Sequence, residues 1–175
     1  MSSLSLLRTL FNYRAWANDE LLEKMEVFDP ERHQDARHNA IRLMNHCHVV
    51  DQIFAAHLTG TPHGFAASNT PDTPSLQDLR AAVATLDRWY LGYLETVTPE
   101  QLADSVPFSF TDGDKGRMTR EEMLTHVVTH GGYHRGEVGR LMRQHAIGLP
   151  RDTFAAYLHS TDPSRRLQAA QPQAA

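Results

Sequence analysis

Apolar residues recur along this chain at the three-and-four spacing of amphipathic helices, in four long runs. Leu7, Leu10, Phe11, Ala17, Leu21 and Leu22 form a broken stripe that predicts a first helix over about 4–25. Asp29-Pro30 closes that segment, because the residue before proline avoids the helical region. A second helix is predicted over about 35–59, with Leu43, His46, Cys47, Val50, Ile53, Phe54 and His57 on one side and Gly60 as its cap. Ser75 followed by Asp78 reads as the N-terminal cap of a third helix, 75–97. Its apolar face carries Leu76, Leu79, Val83, Leu86, Tyr90, Tyr93, Leu94 and Val97. Thr119-Arg-Glu-Glu122 is a capping box that opens the fourth helix, which runs to about Ala146 and stops at Gly148-Leu-Pro150.

The connections are less regular. Residues 60–74 hold three prolines and two glycines, more chain than a tight helical hairpin requires. Such a loop can cross the bundle, so helices two and three need not be antiparallel neighbours. Over 104–118, Val106, Phe108 and Phe110 alternate with polar neighbours or Pro107, and Asp112-Gly113 marks a turn. This predicts a short strand or hairpin before the last long helix. Asp152 is expected to start a short C-terminal helix through Phe154, Tyr157 and Leu158. The fold class is all-α: a four-helix bundle forming one domain over 1–160, with 161–175 as a disordered tail rich in Gln, Ala and Pro.

Composition narrows the setting. A chain of 175 residues with 41% hydrophobic content is large enough for one core. A net charge of −4 gives no overall attraction for nucleic acid, and no block of like charge suggests a nucleic-acid or membrane arm. The single cysteine, Cys47, excludes an intrachain disulfide framework and fits a reducing compartment. No signal peptide or membrane span is evident, so a cytoplasmic location is expected.

The chemistry concentrates in the fourth helix. His126, His130 and His134 are four apart, so they share one face, and two imidazoles so placed can grip one metal ion. His130 and His134 fall on the stripe of Met123, Val127, Val138 and Leu141, where the alternative is a hydrogen-bonded core histidine. A catalytic zinc usually takes three protein ligands. His46 on the apolar side of helix two is the favoured third donor, with His48, which shares a more polar face with Asp51 and Ala55, and His57 as alternatives. Gly131, Gly132, Gly136 and Gly139 each cost about 1 kcal/mol relative to alanine in a helix. Close helix packing or room for a ligand beside His130 and His134 would account for them. There is no metalloprotease glutamate between the histidines, no paired Glu-x-x-His of a di-iron bundle, and no Walker or dinucleotide loop. Cys47, beside His46, reads as a small buried hydrophobe rather than a nucleophile.

Three segments resemble the DinB family of DinB/YfiT-like proteins. They are Phe11-Asn12-Tyr13-Arg14-Ala15-Trp16-Ala17-Asn18, Asn45-His46 with Asp51 beyond it, and His126-Val-Val-Thr-His130-Gly-Gly-Tyr-His134-Arg-Gly. The resemblance covers roughly 4–158. It implies a four-helix bundle, often a homodimer, with a divalent metal on His46, His130 and His134, and His126 outside the ligand set. Zinc or nickel is the first expectation, with iron, manganese or copper as alternatives, and imidazole donors suit zinc, nickel, iron and copper. Some relatives use low-molecular-weight thiols, so the resemblance implies a thiol S-transferase or isomerase acting on a small molecule, while a metal-bound hydroxide at such a site would equally serve a hydrolase. The competing expectation is a non-catalytic, stress-associated metal-binding bundle or interaction module. Many relatives carry glutamine after His-Arg-Gly, where this chain has Glu137. Glu137 is a candidate fourth ligand or catalytic base, against a plain ion-paired glutamate.

Overall fold

The computed structural model describes residues 2–166. Four long helices, α1 (Ser3–Lys24), α2 (Gln34–Thr59), α3 (Leu76–Thr96) and α5 (Arg120–Gln144), form the bundle. Between α3 and α5 lie a single turn, α4 (Pro99–Leu102), and an antiparallel hairpin of β1 (Ser105–Ser109) with β2 (Lys115–Thr119). A short α6 (Phe154–Thr161) follows. The caps read from the sequence are formed. Ser75 Oγ accepts from Asp78 N at 3.0 Å, Thr119 and Glu122 close a reciprocal capping box, and Gly60 terminates α2 at φ 69°. No helix among the described residues is long and apolar enough to cross a membrane.

Two apolar clusters divide the core. One gathers Leu7, Phe11, Phe54, Leu58, Tyr90, Leu94, Met123 and Val127. The other gathers Leu21, Leu22, Ala40, Met44, Leu79, Val83, Val138 and Met142. The order in which each helix passes through them fixes its direction. α1 and α5 run from the first cluster to the second, and α2 and α3 run the opposite way. The bundle is therefore up-down-down-up. α2 and α3 are neighbours but parallel, so residues 60–74 must carry the chain back along the bundle. The irregular loop is long because of that return.

Between the clusters lies a layer of buried charge that the apolar pattern did not foretell. Arg14 of α1 donates to both Asp51 of α2 and Asp87 of α3. Asn18 donates to Asp87 at 3.1 Å, and Arg135 of α5 donates to Asn18 Oδ1 at 3.2 Å. The Tyr90 hydroxyl donates to the Asp51 carbonyl at 2.6 Å. Two guanidiniums and two carboxylates are thus buried together. Charge balance and hydrogen bonding are what make such burial tolerable.

Several expectations need correction. Asp51 and Ala55 are buried, so the side of α2 opposite His46 is not a polar face. α1 ends at Lys24, and a 3-10 turn over Met25–Val27 precedes Asp29-Pro30. Thr153 rather than Asp152 caps α6, because Asp152 is engaged by Arg135 at 2.7 Å and Tyr13 at 2.5 Å. The single turn α4 was not anticipated. In the hairpin, Gly116 stands opposite Phe108, and a Cβ there would lie 2.7 Å from the ring. A side chain at Gly116 would push Phe108 away from Phe54 and His57, against which it packs. Pro163–Arg165 forms a 3-10 turn, and the rest of the expected tail, 167–175, lies outside the described residues.

Candidate metal centre

His46 leaves α2 towards α5, where His130 and His134 occupy successive turns. The structure brings these three together: one nitrogen from each ring lies within 4.8 Å of the others. His46 Nε2 and His130 Nε2 are 3.1 Å apart. Two nitrogens on one tetrahedral zinc-like ion would be about 3.3 Å apart, given bonds of about 2.0–2.1 Å. The three rings are half-buried, at the seam between α2 and α5 rather than in the core. The centre of the buried stripe of α5 is instead Val127, Gly131, Arg135, Val138 and Met142.

The other nitrogen of two rings is held from behind. His46 Nδ1 lies 2.7 Å from the Ser68 carbonyl, an acceptor that fixes the proton on Nδ1 and leaves Nε2 a bare lone pair. His134 Nδ1 lies 2.5 Å from Glu137 Oε2. Both are the arrangement by which outer partners orient metal-binding imidazoles. Ser68 belongs to the returning loop, and Asn45, next to His46, pins that loop. Its amide donates to Asn69 Oδ1 at 2.5 Å and Thr70 Oγ1 at 2.6 Å. Asn69 in turn donates to the Arg42 carbonyl at 3.0 Å. The sequence reading quoted Asn45 only as part of a motif and missed Ser68 entirely. A polar Asn45 beside His46, ahead of the long 60–74 connection, was the available signal.

The titration of His130 is strongly perturbed. Burial, reinforced by the neighbouring imidazoles of His134 and His46, pushes its pKa down to about 3. It is therefore neutral at physiological pH. Its Nδ1 is buried without a hydrogen-bond partner among the described residues.

The remaining candidates go elsewhere. His126 stacks on Phe54, with centroids 4.6 Å apart, and on His130. His57 packs against His63 and Phe108. His48 faces a groove lined by Ala81, Thr85 and Trp89 of α3. Cys47 is buried, and burial raises its thiol to about 12, so it stays protonated. The glycines do not open room beside His130 and His134. A Cβ on Gly131 would lie 3.2 Å from Arg135 Nη1 and 3.8 Å from Arg14 Nε, so Gly131 makes space for the buried guanidiniums. A Cβ on Gly136 would meet nothing within 4 Å. Gly136→Ala should therefore stabilise the protein by about 1 kcal/mol and raise Tm by roughly 2–4 °C. A lower Tm in a thermal melt would show that Gly136 is needed for packing.

Comparison with known proteins agrees with the motifs. The DinB family model matches residues 1–170. Protein DinB of Bacillus subtilis (strain 168) is 24% identical over 164 residues, covering 87% of this chain and 93% of that protein. With a family match spanning almost the whole sequence, on a helical bundle whose three motif histidines meet at one seam, the chain belongs to the DinB family.

Proposed function

We propose that His46, His130 and His134 hold a divalent metal ion and that the protein is a metal-dependent enzyme acting on a small molecule. The observation that carries this reading is the donor set itself. Three imidazoles meet, and two of them are oriented from behind by Ser68 and Glu137 so that Nε2 is presented inward. Zinc or nickel suits these donors first, with iron or copper next and manganese, which favours oxygen ligands, last. A metal with open positions would supply thiolate or hydroxide stabilisation at neutral pH. That chemistry fits a thiol S-transferase or isomerase, or a hydrolase, and the family resemblance favours a low-molecular-weight thiol as cosubstrate. The same reading carries a homodimeric state and a cytoplasmic location.

Glu137 is assigned to positioning. Its carboxylate is engaged by His134 Nδ1, which holds that ring and makes its Nε2 more basic. Glu137→Ala should weaken metal affinity about 10–100-fold, the usual cost of losing an outer partner. Competition against a chromogenic chelator reads this directly. An unchanged affinity would return Glu137 to a catalytic or merely surface role.

One observation favours the non-catalytic alternative: a cavity of about 710 Å³ is lined by residues that include none of the three histidines. The deciding experiment is metal analysis of protein purified without nickel chromatography, followed by thiol-transfer and hydrolysis screens. The reading expects metal bound in stoichiometric amount and turnover that chelation abolishes. Protein that retains no metal, and whose Tm ignores both metal and chelator, would sink it.

A further inference from the structure

We infer that the cavity between α1, α5 and α6 is a second binding site, for a small molecule that carries an oxyanion on an apolar body. Gly132 and Gly136 follow His130 and His134 by two residues each, about 200° round the helix. Their face of α5 therefore looks away from the histidines. The cavity they floor, about 710 Å³, falls within the roughly 300–1,000 Å³ of small-molecule sites. The Trp16 and Leu21 side chains wall it from α1, and Leu149, Pro150 and Ala156 wall it from the C-terminal segment. This supplies the apolar body with contacts.

The charge of the lining selects the other end of the ligand. Four guanidiniums, those of Arg135, Arg143, Arg151 and Arg166, face one carboxylate, that of Asp152, in a chain whose net charge is −4. Asp152 is already engaged by Arg135 and Tyr13. Arg135, 2% exposed, is fixed at the inner end of the cavity by Asp152 and Asn18. Among the described residues no carboxylate pairs with Arg143, Arg151 or Arg166. His159, also in the lining, has a buried Nδ1 with no hydrogen-bond partner among those residues. Uncompensated cations around a concave, partly apolar recess focus potential on an entering anion. The open space above Gly136 is explained as well, since packing makes no demand for glycine there.

Binding of phenyl phosphate and of benzoate to the full chain, followed by titration calorimetry, tests the assignment. Saturable binding of at least one is expected, and the tighter of the two identifies phosphate or carboxylate as the preferred group. Benzyl alcohol, which lacks the anion, should not bind measurably. The double variant Arg143→Ala/Arg151→Ala should weaken binding at least about tenfold, since charge-assisted contacts are lost. Gly136→Leu should fill the floor and abolish binding. Metal content at the histidines should be unchanged in both variants, so failure here is distinguishable from failure of the metal-centre reading. Absence of binding by both anions, or binding that both variants leave intact, overturns the proposal. Two further results would also overturn it. Retention on anionic phosphatidylglycerol vesicles without phenyl phosphate or benzoate binding would make the patch a membrane contact. A change of sedimentation coefficient in Gly136→Leu, again without ligand binding, would make the recess a seat for a second copy of the chain.

Discussion

Arg14→Met should cost about 3–5 kcal/mol of folding free energy, the usual penalty for removing one partner of a buried ion pair. A domain of this kind has roughly 5–15 kcal/mol in total, so the variant should stand close to unfolding. Arg14 is the link between Asp51 and Asp87, and both carboxylates are as inaccessible to water as the guanidinium. Its loss leaves Arg135 as the remaining buried guanidinium among the described residues. The deficit should depend on pH in a definite direction. Burial already raises the Asp51 carboxyl from 3.8 to about 7 against the pull of Arg14. Without Arg14 its folded pKa rises further. A group whose folded pKa is raised stabilises the fold below its unfolded pKa and loses that contribution as pH rises through the folded value. The variant should therefore recover part of its stability as pH falls through that higher folded value and on towards the ordinary carboxyl value of 3.8. Urea unfolding across that range is the measurement. A midpoint equal to that of the parent protein would show that water, rather than Arg14, solvates the two carboxylates.

His134→Ala should remove most metal binding while leaving a folded bundle. Loss of an inner ligand should exceed the roughly 10–100-fold cost of losing an outer partner such as Glu137. The fold should survive because the ring is only half-buried and both apolar clusters remain intact. Metal that binds only the folded state adds stability by mass action, about 4 kcal/mol at a thousandfold excess over Kd. Chelation should therefore lower Tm of the parent protein and leave that of His134→Ala unmoved. Melts with and without chelator, read by circular dichroism, check both halves. Complete unfolding of the variant would instead mark a structural metal and move weight to the non-catalytic reading.

The helices and caps could be read from the sequence because their causes are local. The Ser75 and Thr119 caps, the left-handed Gly60 and the four apolar stripes act within one turn or along one face. The His130–His134 pair was legible for the same reason, since four-residue spacing alone aligns two side chains. The placement of His46 opposite them depends on α2 packing antiparallel to α5, so periodicity left His48 and His57 open until the family motif was considered. Only the tertiary structure decided the rest. It turned Arg14, Asn18, Asp51, Asp87 and Arg135 inward as one layer, which no single-helix pattern expresses because each charge is tolerable only beside its partners. It brought Ser68 from the returning loop to His46, and Glu137 to His134 Nδ1. It also set the glycine face of α5 towards a cavity on the side away from the histidines. A helix specifies its own angular positions, but which neighbour each position meets is fixed only when the four helices pack.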